Sequence, residues 1–206
     1  LEDILSQIET PMLNETNLHF FNQLVFDAPL LGYFIGRTGA FTTIHKACVQ
    51  FRGWAIQVIL LGREEMINNN RKVLDLEIIC TALDWQVSAV AQVLNSFLSS
   101  LPALETLEVV VSREDWQGEI EVVQWREFLH SFTSVKTMTL ESEDPVRLIA
   151  PALQEFASER ATNVLPALQN LFLRAYSSRA SGPLKTAIEQ FIAARQFYGQ
   201  PVTVHY

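Results

Sequence analysis

The sequence predicts an α/β fold: about seven strand–helix units of 29–33 residues, stacked side by side in a single domain over residues 1–206. Three observations predict it. Pairs of apolar residues two positions apart recur along the chain, anchored at Leu18, Ala47, Leu76, Leu107, Met138, Leu171 and Val202, at intervals of 29 to 33 residues. A fixed period in that range signals stacked repeats. Between the pairs the apolar spacing changes from strand period to helix period. A corner also recurs before the strands, as Pro102-Ala103-Leu104 and Pro166-Ala167-Leu168, and without the proline as Thr133-Ser134-Val135. Proline ends the preceding element there because it has no N–H to continue it.

Leu1–Ile8 reads as the tail of a helix and Pro11–Leu13 as its corner, so residues 1–13 are a partial N-terminal repeat or a cap. Leu18 and Phe20 mark the first strand. Pro29–Arg37 follows as a helix with Leu30, Leu31, Phe34 and Ile35 inward, and Gly36 and Gly39 are expected to end it. Ala47 and Val49 make the second strand. Trp54–Leu61 then reads as an extra strand where a helix is due, expected on the convex side or as a short hairpin, with a long charged loop over 62–72. After Leu76 and Ile78, Asp84 caps a helix whose stripe is Val87, Val90, Val93, Leu94, Phe97 and Leu98. Leu107 and Val109 precede a helix carrying Val122, Trp125, Phe128 and Leu129. Met138 and Leu140 precede one opened by Asp144 and Pro145. Leu171 and Leu173 precede one opened by Pro183, and Val202 and Val204 close the chain as an edge strand. No unit can bury its strand face alone, so neighbours must stack. The result expected is a leucine-rich-repeat-like solenoid with a parallel sheet on the concave face and helices on the convex face.

Composition narrows the function. Hydrophobic residues are 49% and charged residues 18%, which is a core-rich chain and not a disordered one. The net charge of −8 argues against nucleic-acid backbone as a partner, since that needs a basic face. No apolar run approaches the roughly 20 residues of a membrane span, and no signal peptide is visible, so a cytoplasmic or nuclear protein with no membrane partner is expected. Cys48 and Cys80 are too few for a disulfide framework and are read as free thiols.

The chemical motifs are incomplete. Gly32–Gly39 has no Lys-Ser/Thr after its glycines and so is not a phosphate loop. His45 and Cys48 are three apart in a strand and point to opposite faces. The four histidines have no metal-ligand spacing. We therefore expect no enzyme, no cofactor and no metal. Trp85 and Trp125 read as packing residues, and Trp116 as a loop residue that could anchor a partner.

The concave face is the remaining candidate. Residues flanking the apolar pairs point away from the core. The middle column reads His19, Cys48, Glu77, Glu108, Thr139, Phe172 and Thr203. Asp75, Glu77, Glu108 and Glu141 form an acidic stretch, followed by Phe172 and Arg174. Like charges on adjacent strands are mildly destabilising, which favours a basic partner lying across them. The candidate partner-binding residues are His19, Asp75, Glu77, Glu108, Thr139, Glu141, Phe172 and Arg174. The plainer reading is a solvated sheet face.

Phe20–Asp27, Phe34–Thr38, Leu83–Gln86 and Leu165–Leu173 resemble, across the whole chain, the C-terminal half of fungal F-box proteins with leucine-rich repeats. The resemblance implies a protein-binding repeat domain that recognises substrates for an SCF-type ubiquitin ligase. In that family a separate F-box docks on a Skp-type adaptor. No F-box is seen here, so the adaptor is expected only if an F-box precedes residue 1. The alternative is a structural or scaffold solenoid with no ubiquitin-ligase link.

Overall fold

The computed structural model describes residues 15–21, 29–63, 70–79, 83–98, 101, 104–112, 122–159, 164–174 and 183–206. The expected cap at 1–13, Cys80, Trp116 and most of the loop after Arg63 lie outside the described residues, as do the side chains of Asp84 and Trp85. In chain order the elements are β1 (Thr16–Phe21), α1 (Pro29–Arg37), a 3-10 turn (Gly39–Thr43), β2 (Ile44–Arg52), β3 (Ala55–Arg63), β4 (Asn70–Ile79) and α2 (Leu83–Phe97). They continue with β5 (Thr106–Val111), α3 (Val122–His130), β6 (Thr137–Leu140), α4 (Glu143–Glu159), β7 (Asn170–Leu173), α5 (Pro183–Phe197) and β8 (Thr203–His205).

All seven expected strands form. The sheet they build is mixed, however, and not purely parallel. Its order is β1-β4-β3-β2-β5-β6-β7-β8. β3 runs antiparallel to both neighbours, β2 and β4, and the other described pairings are parallel. From β5 onward each helix leads to the next strand in chain order, as the repeat predicts. Before β5 the order is reversed, and β1 lies against β4 instead of β2.

The extra strand causes this reversal. Only Gly53 and Trp54 separate β2 from β3, and so short a link can join only antiparallel strands. β3 also has a complete apolar face, with Ile56, Val58 and Leu60 buried. It therefore takes a place inside the sheet and not on the convex side. β4 then pairs back along β3, with a register shift between Leu60 and Leu61.

The molecule has two layers. Apolar residues from all five described helices join the inward strand residues in one buried cluster that includes Leu31, Ala47, Val58, Leu107, Phe128, Val146 and Ile188. Trp125 packs there edge-on against Phe51 and Phe128, at ring-centroid distances of 5.4 and 5.8 Å, as expected of a packing tryptophan. α1 runs through Gly36 to Arg37, so neither Gly36 nor Gly39 ends it. Thr38 does, its hydroxyl donating to the Phe34 carbonyl at 2.8 Å.

The corners repeat as geometry. The N–H of Leu104 donates to the Leu101 carbonyl at 3.2 Å, and that of Leu168 to the Leu165 carbonyl at 3.0 Å. Leu165 is buried at φ 50°, in the left-handed region that side chains rarely adopt. After α5, Gly199 (φ 73°) closes the helix: its N–H donates to Gln196 and that of Gln200 to Arg195, the paired bonds of a Schellman cap.

Candidate functional site: the open face of the sheet

The described helices cover one face of the sheet, and alternate strand residues line the other. β1 and β4 place His19 beside Glu77 and Asn17 beside Asp75. β4 and β3 then place Glu77 beside Gln57 and Asp75 beside Ile59. β3 and β2 continue the rows to Gln50 and Cys48, and Cys48 lies beside Glu108 on β5. Glu108 is followed by Thr139, Phe172 and His205.

Two expected alignments are therefore corrected. Glu77 is not in the row of Cys48 and Glu108; it faces Gln57, with β3 and β2 between it and β5. The inserted antiparallel strand displaces the rows on its two sides by two residues. At the other end Phe172 faces His205 and not Thr203, because β8 pairs Val204 with Leu171.

The acidic stretch is also not a run of facing like charges, because each carboxylate has a basic partner. Lys72 Nζ lies 2.9 Å from Asp75 Oδ2. His19 Nδ1 lies 2.9 Å from Glu77 Oε2, and Arg174 lies 3.1 Å from Glu141. Lys46 pairs with Glu108. Repulsion among these carboxylates thus gives no argument for a basic partner.

Polar side chains connect these pairs across four strands. Gln57 donates to Asp75 at 2.7 Å, and Arg52 donates to Gln57 at 2.6 Å and to Gln50 at 3.0 Å. Gln50 donates to Cys48 Sγ at 3.6 Å, and the thiol donates to Glu108 at 3.7 Å. Burial pushes the Cys48 thiol above its ordinary value, and the nearby Glu108 charge adds to this against the Gln50 hydrogen bond. A thiol held neutral is a poor nucleophile. The Asp75 carboxylate holds the Lys72 ammonium above its usual range, which keeps it charged. At the β7–β8 edge, Phe172 and His205 stack at 4.2 Å with an interplanar angle of 11°, and His205 Nε2 lies 3.3 Å from Asn170 Oδ1.

Of the residues expected at the site, Asp75, Glu77, Glu108, Thr139, Glu141, Phe172, Arg174 and His19 all lie on this face, but in more than one row. Glu108, Thr139 and Phe172 are side by side; His19 and Glu77 form a separate pair. Lys72, Arg52 and Gln57 were not singled out from sequence. The period-2 rule places Arg52 and Gln57 on the open face once their strands are assigned, whereas Lys72, in step with the buried Leu74 and Leu76, reaches it only through the register shift that sets it opposite Leu61. Among the described residues no group of three or more His, Cys, Asp or Glu is placed to hold a metal ion, and no helix is long and apolar enough to cross a membrane. Comparison with protein-family models, curated proteins and solved structures finds no match to this chain. The face is a row of paired charged and polar side chains on a mixed α/β sheet.

Proposed function

We propose that the chain is a protein-binding domain whose working surface is this open face, and that it recognises substrates for an SCF-type ubiquitin ligase in the cytoplasm or nucleus. The observation that carries the binding reading is an eight-stranded sheet whose described helices all pack on one face. The other face presents a broad, firmly held array of polar side chains. The ligase assignment rests on the sequence resemblance to leucine-rich-repeat F-box proteins, with β5–β8 read as leucine-rich-repeat-like units. On this reading the chain uses no cofactor, and a Skp-type adaptor would be engaged through an F-box outside it.

A second reading, a scaffold with no ligase link, is favoured by one feature. The charges of the face already satisfy one another, as on a sheet face that meets only water.

Affinity purification of the intact gene product separates the two. The ligase reading expects a Skp-type adaptor and a cullin to co-purify, together with a further protein that is lost when Phe172 and Arg174 are replaced by alanine. Absence of the adaptor, with no protein dependent on the open face, would establish the scaffold reading instead.

A further inference from the structure

The ion pairs of the open face are layered. Arg174 is 67% exposed over a Glu141 that is 24% exposed. His19 is 53% exposed over Glu77 at 14%, and Lys72 is 41% exposed over Asp75 at 15%. Lys46 and Glu108 lie close to level, at 25% and 20%. At Arg174–Glu141 and Lys72–Asp75 the carboxylate lies on the floor of the face and the guanidinium or ammonium stands outward; Lys72 also lies 4.0 Å from Glu15, which is itself 51% exposed. Arg52 adds a further guanidinium near the centre, bonded to two neutral glutamines. The other exposed pairs, such as Arg147–Glu143 and Lys136–Glu105, are level, so an outward cation over a lower carboxylate marks Lys72 and Arg174 on this face.

We propose that this face receives an acidic polypeptide segment, laid across the strands from His19 and Lys72 to Arg174. The inference rests on the protein-binding reading and names the partner's chemistry. A carboxylate approaching the face at Lys72 or Arg174 meets the ammonium or guanidinium first, above the part-buried Asp75 or Glu141. Arg174 offers its guanidinium to solvent while held at one edge by Glu141, so it can accept a second carboxylate. From β1 to β7 the strands span about 29 Å, at roughly 4.8 Å per strand, so an extended segment of about nine residues would reach across. The spacing suits a polypeptide with separated charges. A nucleic acid, with a charge every few ångströms, needs a denser and net-positive surface than cations matched one for one by carboxylates.

The test uses the whole chain and three fluorescent probes: a decapeptide of alternating Glu and Ser, its Lys–Ser counterpart, and a ten-nucleotide single-stranded RNA. Anisotropy at 50 mM salt is expected to show the acidic peptide binding at least tenfold more tightly than the other two. The double variant K72E/R174E should weaken it at least tenfold, and K72Q/R174Q should weaken it by less. R147E, on the helical layer, should leave it unchanged, and 300 mM salt should weaken it. Circular dichroism confirms that each variant is folded. Tighter binding of the lysine peptide would overturn the acidic partner while leaving the protein-binding reading intact. Tighter binding of RNA would overturn both. Equal losses in R147E and K72E/R174E would also overturn the proposal, since attraction would then not be local to the face. If no probe binds, the acidic partner is wrong, and the protein-binding reading is then decided separately by the co-purification experiment.

Discussion

Arg195 shows at the residue scale how a single side chain secures the repeated corner. It is the last basic residue of α5 and is fully buried. Its guanidinium donates to the carbonyls of Pro166 at 3.3 Å and Leu168 at 3.1 Å. Burial lowers its pKa from the ordinary value, yet a guanidinium remains charged at neutral pH. These bonds clamp the turn in which Leu165 is held at φ 50°. Arg195→Ala would leave the buried Leu168 carbonyl and the part-buried Pro166 carbonyl without this donor and should cost about 2 kcal/mol, read from the urea midpoint at unchanged slope. Arg195→Lys should recover less than half of that, because one ammonium cannot match the planar fork. A loss below about 0.5 kcal/mol in Arg195→Ala, the range of an ordinary surface substitution, would mean that the clamp is unimportant. The corner itself was legible in the sequence through Pro166 and Leu168. Arg195 was not, since an arginine on a helix reads as a solvated residue until a tertiary contact buries it.

At the scale of elements, the strands and helices were legible because their signals are local. Leu107 and Val109, or Val87, Val90 and Leu94, declare their element by spacing alone, and each is buried where its period requires. Contacts between elements leave a weaker mark. Gly32 lies in α1, and a Cβ built there would come within 2.2 Å of the Ser96 carbonyl oxygen at the end of α2. The glycine is what lets the two helices approach. Gly32→Ala should therefore destabilise the protein by about 1–3 kcal/mol, despite alanine's better helix propensity, because backbone cannot yield as a side chain can. Thermal melting checks this; an unchanged or raised midpoint would show that the helices are not in close contact there. In the sequence this glycine looked like part of an abortive phosphate loop, since its real neighbour is more than sixty residues away.

At the scale of the whole molecule, the places of the seven strands in the chain were read correctly and their order in the sheet was not. Seven apolar pairs at near-equal spacing say that strands recur, but they do not say which strands touch. The β2–β3 link of two residues forces a reversal, and that reversal puts β4 beside β1 and changes which side chains share a row. The composition of the candidate site depends on this, because the Lys72–Asp75–Gln57–Arg52 network exists only if β4 and β2 flank β3. Strand order is tested directly by disulfide trapping in a background with Cys48 and Cys80 replaced by alanine. Asn17 and Asp75 are paired across β1 and β4, and adjacent strands put Cα atoms at about 4.8 Å, within disulfide reach. A chain-order stack would instead set Asn17 beside Lys46. The account predicts rapid, near-complete cross-linking in N17C/D75C under mild oxidation and none in the folded state of N17C/K46C. Cross-linking of N17C/K46C with none in N17C/D75C would contradict the strand order, and with it the face on which the proposed function rests.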